Sequence, residues 1–196
     1  MNRKVLIVGG VAGGASAAAR LRRLDENIEI ILFEKGEHIS FANCGLPYYI
    51  GDVIQERDNL LVTTPADMKS KFNIDVRIKS EVIKVDTDKK EITVKSADRR
   101  TYTESYDALI LSPGAKPIQP PINGINNDKI FTLRNMNDTD KIKEYIAKNK
   151  PESAVVIGGV FIGVEMSENL NRLGINVTLV EAAPHIIAPF DSDMVT

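Results

Sequence analysis

The strongest constraint on this chain is a plan that occurs twice: a short apolar strand, a glycine-rich turn, a helix, and a second strand closed by a glutamate. The first copy opens with Lys4-Val5-Leu6-Ile7-Val8. This continuous, β-branched-rich run suits a strand buried on both faces of a parallel sheet. Gly9-Gly10-Val11-Ala12-Gly13-Gly14 follows at once, Ala15 to Leu24 reads as an alanine-rich helix, and Ile28-Glu29-Ile30-Ile31-Leu32-Phe33 is a second strand. The second copy comes after Pro151. It consists of the strand Ala154-Val155-Val156-Ile157, the turn Gly158-Gly159-Val160-Phe161-Ile162-Gly163, a helix from Val164 to Leu173, and the strand Val177-Thr178-Leu179-Val180. Gly158 stands 149 positions after Gly9. Such a chain is α/β: a doubly wound Rossmann-like domain followed by the start of a second.

The turns carry the first chemical reading. In each, the first glycine permits a tight turn and the last allows the helix to pack closely on the strand. The helix N-terminus then offers backbone N–H groups and a positive dipole to a pyrophosphate. Glu34 ends the second strand 20 residues beyond Gly14, and Glu181 lies 18 beyond Gly163. A ribose-binding carboxylate belongs at that place. One such turn in isolation is as readily an ordinary tight turn beside a solvated glutamate. Two copies with strand, helix and acidic strand end weigh against that. The middle glycine of the fingerprint is Val11 in one copy and Val160 in the other, which narrows the approach to the phosphates. Two nucleotide sites suggest a flavin that stays bound and a nicotinamide that delivers hydride. Glu181 favours a free 2′-hydroxyl, hence NADH over NADPH.

Between the copies the pattern changes. Residues 76–86 and 91–95 read as alternating strands joined by the charged turn Asp86-Thr87-Asp88-Lys89-Lys90, so an antiparallel insert is expected. Tyr106 to Leu111 is another buried strand, ending at Ser112-Pro113-Gly114. Pro117, Pro120 and Pro121 mark an extended connection, and a polar helix is expected from Asp138 to Asn149. The expected division is therefore a first domain over 1–117 and a second over 118–196. A doubly wound domain needs more strands than the second part holds, so that domain is expected to be incomplete.

Composition excludes some classes. With 43% hydrophobic and 27% charged residues, the chain is ordinary for a globular protein. A net charge of -2 gives no general attraction to nucleic acid or to an anionic membrane. Arg3 and Lys4 before an apolar stretch, with Ala15-Ser16-Ala17 beyond it, resemble a signal peptide, but glycines interrupt the stretch and it runs on into a basic helix. His38 and His185 lack metal-ligand spacing, so both read as structural and no metal site is expected.

The chain has one cysteine, in Ser40-Phe41-Ala42-Asn43-Cys44-Gly45-Leu46-Pro47. A lone cysteine cannot build a disulfide framework, which points to a reducing, cytoplasmic compartment. A free cysteine is most often a small buried hydrophobe. Its place directly after the first strand–turn–helix–strand unit favours a redox role instead, and a helix beginning here would favour the thiolate. Without an internal partner, Cys44 must cycle against an outside molecule. It would form either a mixed disulfide with a small thiol or a sulfenic acid from peroxide or oxygen chemistry.

The turn Gly9 to Gly14, the stretch Ser40 to Tyr48, the strand and turn Tyr106 to Ala115, and Gly158 to Glu165 closely resemble the coenzyme A disulfide reductases. These form part of the single-cysteine branch of the FAD-dependent pyridine nucleotide-disulfide oxidoreductases, with NADH oxidases, NADH peroxidases and persulfide reductases. The Ser-Phe-x-x-Cys-x-x-Pro motif is the most specific element, and the resemblance covers essentially the whole chain. It implies that Gly9, Gly10, Val11, Ala12, Gly13, Glu34, Lys35, Asn43, Val82, Ser112, Pro113 and Gly114 hold FAD. Gly158, Phe161, Ile162, Gly163, Glu165 and Glu181 would meet NADH or NADPH.

Ser16, Arg20 and Arg23, spaced i, i+4, i+7, share one helix face whose arginines suit the phosphates of coenzyme A, although a solvated basic face is the plainer reading. By the resemblance, Ser16, Arg20, Arg23, Ser40, Asn43 and Lys71 form the coenzyme A site and Cys44 is the catalytic residue. Family enzymes are more than twice this long and close the FAD domain with a later Gly-Asp segment and a C-terminal dimerisation domain. This chain is therefore expected to be part of a homodimeric parent. That parent would reduce a small-molecule disulfide or persulfide of coenzyme A. The rivals are an NADH oxidase or peroxidase working through a Cys44 sulfenic acid, and a nucleotide-binding fragment without catalysis.

Overall fold

The computed structural model describes residues 3–195. In chain order its elements are β1 (Lys4–Val8), α1 (Ala12–Leu24), β2 (Glu29–Phe33), α2 (Leu46–Ile50), α3 (Pro65–Phe72), β3 (Asp75–Arg77), β4 (Glu81–Asp86), β5 (Glu91–Lys95), β6 (Thr101–Ser105), β7 (Ala108–Leu111), α4 (Met136–Asn149), β8 (Ser153–Ile157), α5 (Phe161–Arg172) and β9 (Asn176–Val180). Short 3-10 turns cover Asn43–Gly45, Arg57–Leu60 and Ser192–Met194. The contacts group residues 3–41 with 61–115, and 42–60 with 116–195.

The first unit is built on an all-parallel sheet of order β3-β2-β1-β7. Leu6, Ile7, Ile30, Ile31, Leu32 and Phe33 are no more than 2% exposed, as the continuous apolar runs require. Alternate residues feed two cores. Val5, Ile7, Ile30 and Leu32 pack with Ala15 and Ala18 of α1 and Met68 of α3. Leu6, Ile31 and Phe33 face the other way, onto Ile92 and Val94 of β5. Each fully buried side chain of this size contributes about 1.5–3 kcal/mol. The expected antiparallel insert is the sheet β4-β5-β6, whose third strand the sequence analysis did not single out.

The run 76–86, expected as one strand, is two. β3 joins the parallel sheet and β4 the antiparallel one, because Lys79 turns the chain with φ +51° between them. The N–H of Lys79 donates to the Gly36 carbonyl and that of Ser80 to the Glu34 carbonyl. Helix α3, also not anticipated, has a full start signal. Pro65 is in its first turn, Thr64 Oγ1 accepts the Asp67 N–H at 3.1 Å, and the Asp67 carboxylate accepts the Thr64 N–H at 3.3 Å. Arg22, buried on α1, donates to the carbonyls of Phe72 and Asn73 at the end of α3 and of Glu26 at the end of α1. Charge-assisted bonds of this kind satisfy carbonyls that helix ends leave open.

The second unit holds the parallel pair β8-β9 with α4 and α5. Its core is Ile50, Ile142, Met166, Leu170 and Ile175, with Ala154, Val156 and Val177 packed against it. The opposite face of the pair is open, and Val155 and Ile157 are 64% and 80% exposed. A division by chain order alone assigns residues 42–60 to the first domain. The structure packs them in the second unit, where Ile50 enters the core and Arg57 makes a two-point ion pair with Asp140 of α4 at 2.8 and 2.7 Å.

Candidate functional site

The two glycine turns are built alike. Gly9 has φ +95° and Gly158 φ +103°, conformations that side chains rarely adopt. A Cβ on Gly14 would lie 1.8 Å from the Gly9 carbonyl oxygen, and one on Gly163 would lie 1.7 Å from that of Gly158. Only glycine lets each helix start this close to its strand. In the first unit the turn also meets the end of β7. The Ser112 N–H donates to the Val8 carbonyl at 2.7 Å, and a Cβ on Gly9 would sit 2.0 Å from the Ser112 carbonyl oxygen. Ser112 Oγ is 3.2 Å from the place of a Gly13 Cβ, so Gly9, Gly13 and Ser112 converge, with Pro113 and Gly114 exposed beyond.

Each strand-end glutamate clasps its own turn. Glu34 accepts the Gly10 N–H at 2.8 Å and the Gly36 N–H at 2.7 Å. Glu181 accepts the Gly159 N–H at 2.5 Å and the Ala183 N–H at 2.8 Å. The N–H groups of Ala183 and Gly159 hold the Glu181 carboxyl below its ordinary value. A carboxylate has about four acceptor positions, more than these two N–H groups fill. Gly36 and Ala183 were missed by the sequence analysis, although both stand two residues after their glutamate.

Leaving aside the five-residue α2, which is also uncapped, the helix starts separate into two kinds. At α3 and α4 side chains cap the first turn, Thr64 with Asp67 and Asn135 with Asp138. At α1 and α5 no side chain caps and the first turn holds no acidic residue. Their leading N–H groups and dipole are thus left for an anion, which fits the phosphates of a dinucleotide at each turn. Val11 is half-buried and Val160 exposed at these starts, Lys35 is exposed, and Val82 is packed within the cluster of Leu6, Ile31 and Phe33. Phe161 and Ile162 are 50% and 55% exposed, and Phe161 meets Phe190 edge-on at 6.0 Å. Glu165 is half-buried on α5.

Ser16, Arg20 and Arg23 are all exposed on α1, as their spacing predicts. Ser40 donates its N–H to the Gly10 carbonyl at 2.9 Å and so joins the first turn. Lys71 lies on α3, where it pairs with Asp67 at 2.8 Å and, with Thr64, holds that carboxyl at about 2. Cys44 is exposed in the second unit, on the 3-10 turn Asn43–Gly45, with α2 following directly. The Gly45 N–H donates to the Ala42 carbonyl, and the Ala42 N–H to that of Leu60. Arg134 Nη1 reaches Asn43 Oδ1 at 3.3 Å, a contact with no signal in the sequence. His185 pairs with the Ile186 carbonyl. Among the described residues no group of three or more His, Cys, Asp or Glu could hold a metal ion, and no helix is long and apolar enough to cross a membrane.

Comparison with known proteins bears on what this geometry serves. The profile of the pyridine nucleotide-disulphide oxidoreductases matches residues 3–195. The chain belongs to this family. Membership implies FAD and a nicotinamide nucleotide as cofactors, in accord with the two turns. A coenzyme A disulfide reductase of Staphylococcus haemolyticus is 44% identical over 195 residues, covering 98% of this chain and 43% of that protein. The crystal structure of reduced Bacillus anthracis CoADR-RHD is 60% identical with a TM-score of 0.97, over 100% of this chain and 35% of the other. A NAD-dependent persulfide reductase from A. fulgidus is 35% identical with a TM-score of 0.93, over 98% and 36%. The chain therefore spans less than half the length of these relatives. The resemblance to coenzyme A disulfide reductases and the α/β architecture are both borne out.

Proposed function

We propose that the protein carrying this chain reduces a disulfide or persulfide of coenzyme A at the expense of NADH or NADPH, with Cys44 as its redox residue. The observation that supports this most directly is the exposed thiol of Cys44, the chain's one cysteine, in a chain with two alike nucleotide turns. Gly9, Gly13, Ser112 and Glu34 would hold FAD, and Gly158, Gly163 and Glu181 the nicotinamide nucleotide. Bound FAD would supply the relay of two electrons from nicotinamide to sulfur. The Cys44 thiolate attacks one sulfur of the substrate, releases the first thiol and keeps the second as a mixed disulfide. Two electrons and a proton then free the second thiol and restore the thiolate. Ser16, Arg20 and Arg23, with Ser40, Asn43 and Lys71, form the coenzyme A site of this reading. The protein would work as a homodimer in the cytoplasm.

The test is to assay the full-length protein with NADH and either coenzyme A disulfide, hydrogen peroxide or oxygen. Turnover with the disulfide, abolished by Cys44→Ser, is expected. Turnover with peroxide or oxygen alone would falsify the disulfide reading and leave the sulfenic acid one.

A further inference from the structure

We infer that Arg134 is a positioning residue for Cys44, acting through Asn43; the inference rests on the redox role proposed above for that cysteine. The turn Asn43–Gly45 has no side-chain cap at its start. Its backbone is tied at three points, Gly45 to Ala42, Ala42 to Leu60 and Leu46 to Asn43. The Arg134 guanidinium adds a long-range tie, donating to Asn43 Oδ1, 91 residues away. Arg134 is itself well anchored. Its N–H donates to the Asp138 carboxylate at 3.0 Å, while the Asp138 N–H donates to Asn135 Oδ1 at 3.0 Å, so the residue is fixed at the capped start of α4.

Two more ties from α4 hold the same segment farther along. Asp140 pairs with Arg57, and Lys143 donates to the Tyr49 carbonyl at 2.7 Å and pairs with Asp52. Helix α4 and the residue just before its cap are thus a polar splint for residues 43–57, with Arg134 bonded to the residue preceding the thiol. A charged donor on a half-buried neutral acceptor outweighs the usual exposed ion pair, because part of its competition with water is gone. Asn43, Arg134, Leu46, Pro47, Leu133 and Ile162 line one small crevice, which supplies that partial burial.

The experiment compares Arg134→Ala, Arg134→Lys and Lys143→Met in the full-length holoenzyme. Lys143→Met loosens the splint away from Cys44 and controls for a purely structural role. In Arg134→Ala, hydrogen exchange at the N–H groups of Ala42 and Gly45 is expected to quicken about ten-fold, and kcat/KM for coenzyme A disulfide to fall about ten-fold. NADH-driven reduction of an artificial dye, which bypasses the thiol, should stay within about two-fold. Arg134→Lys should recover part of the loss, and Lys143→Met should leave Ala42 and Gly45 exchange as in the wild type. Unchanged exchange in Arg134→Ala overturns the inference, as does an equal effect of Lys143→Met or a parallel fall in dye reduction. Should the wild type fail to turn over the disulfide, the functional reading falls, and the exchange measurement still decides the role of Arg134.

Discussion

The two glycine turns share a backbone but not a setting. Both set a positive-φ glycine against a close helix, leave the helix start without a side-chain cap, and clasp the turn with the glutamate that ends the next strand. The first sits on a four-stranded sheet covered on both faces. The second sits on two strands with one face open, where alternate residues are exposed. The turn geometry is therefore a local property, written in a dozen residues, and it forms alike whether or not the sheet beneath it is filled. What the surroundings decide is how much stability depends on each copy.

Three measurements bear on that contrast. The largest difference is expected between the sheets. In thermal or denaturant unfolding of this chain, Ile31→Ala should cost about 2–5 kcal/mol, since Ile31 is 2% exposed. Ile157→Ala, at 80% exposure, should stay within about 0.5 kcal/mol. Equal losses would mean that the second sheet is as buried as the first.

Next come the glutamates. Glu34 is buried, and Glu34→Ala leaves the Gly10 and Gly36 N–H groups without their acceptor, at about 1–3 kcal/mol. Glu181→Ala, at a more open site, should cost less stability and act mainly through a raised KM for NADH. A stability loss at Glu181 matching that at Glu34 would contradict the contrast.

The smallest effect concerns a capped helix, as the counterpart to the uncapped pair. Asp67 has its carboxyl lowered from 3.8 to about 2 by Lys71 and Thr64. A carboxyl lowered on folding stabilises above its unfolded value and loses that contribution as pH falls through its folded value. The stability gap between wild type and Asp67→Asn, small at neutral pH, should therefore close between pH 4 and 2. A gap constant over that window would assign the effect to packing.

What could be read from sequence follows the same division between local and distant causes. The turns, their helices and the glutamates were legible because glycine spacing and apolar runs act within about 30 residues. The break at Lys79 was not, because Asp75-Val76-Arg77 and Glu81 to Asp86 carry similar alternation while pairing with different sheets. Helix α3 was readable from Thr64, Pro65 and Asp67 and was passed over. The allegiance of residues 42–60 had no local signature. It rests on Ile50 against Met166 and Leu170, and on Arg57 with Asp140, partners about 80 to 120 positions away. The turn carrying Cys44 was recognisable as a motif, while Arg134, which reaches its neighbour, was not.

The nucleotide-binding role proposed for Glu181, added to its clasp on the turn, has a consequence for how such a protein can change its diet of reductant. Swapping this side chain for an arginine, the simplest way to welcome a 2′-phosphate, also strips the acceptor from Gly159 and Ala183. On the proposed reading, cofactor choice and loop shape are thus inherited together. A lineage or an engineer moving toward NADPH must rebuild the loop in the same stroke, so a single substitution here should yield a poorer enzyme for both nucleotides before any gain in preference appears.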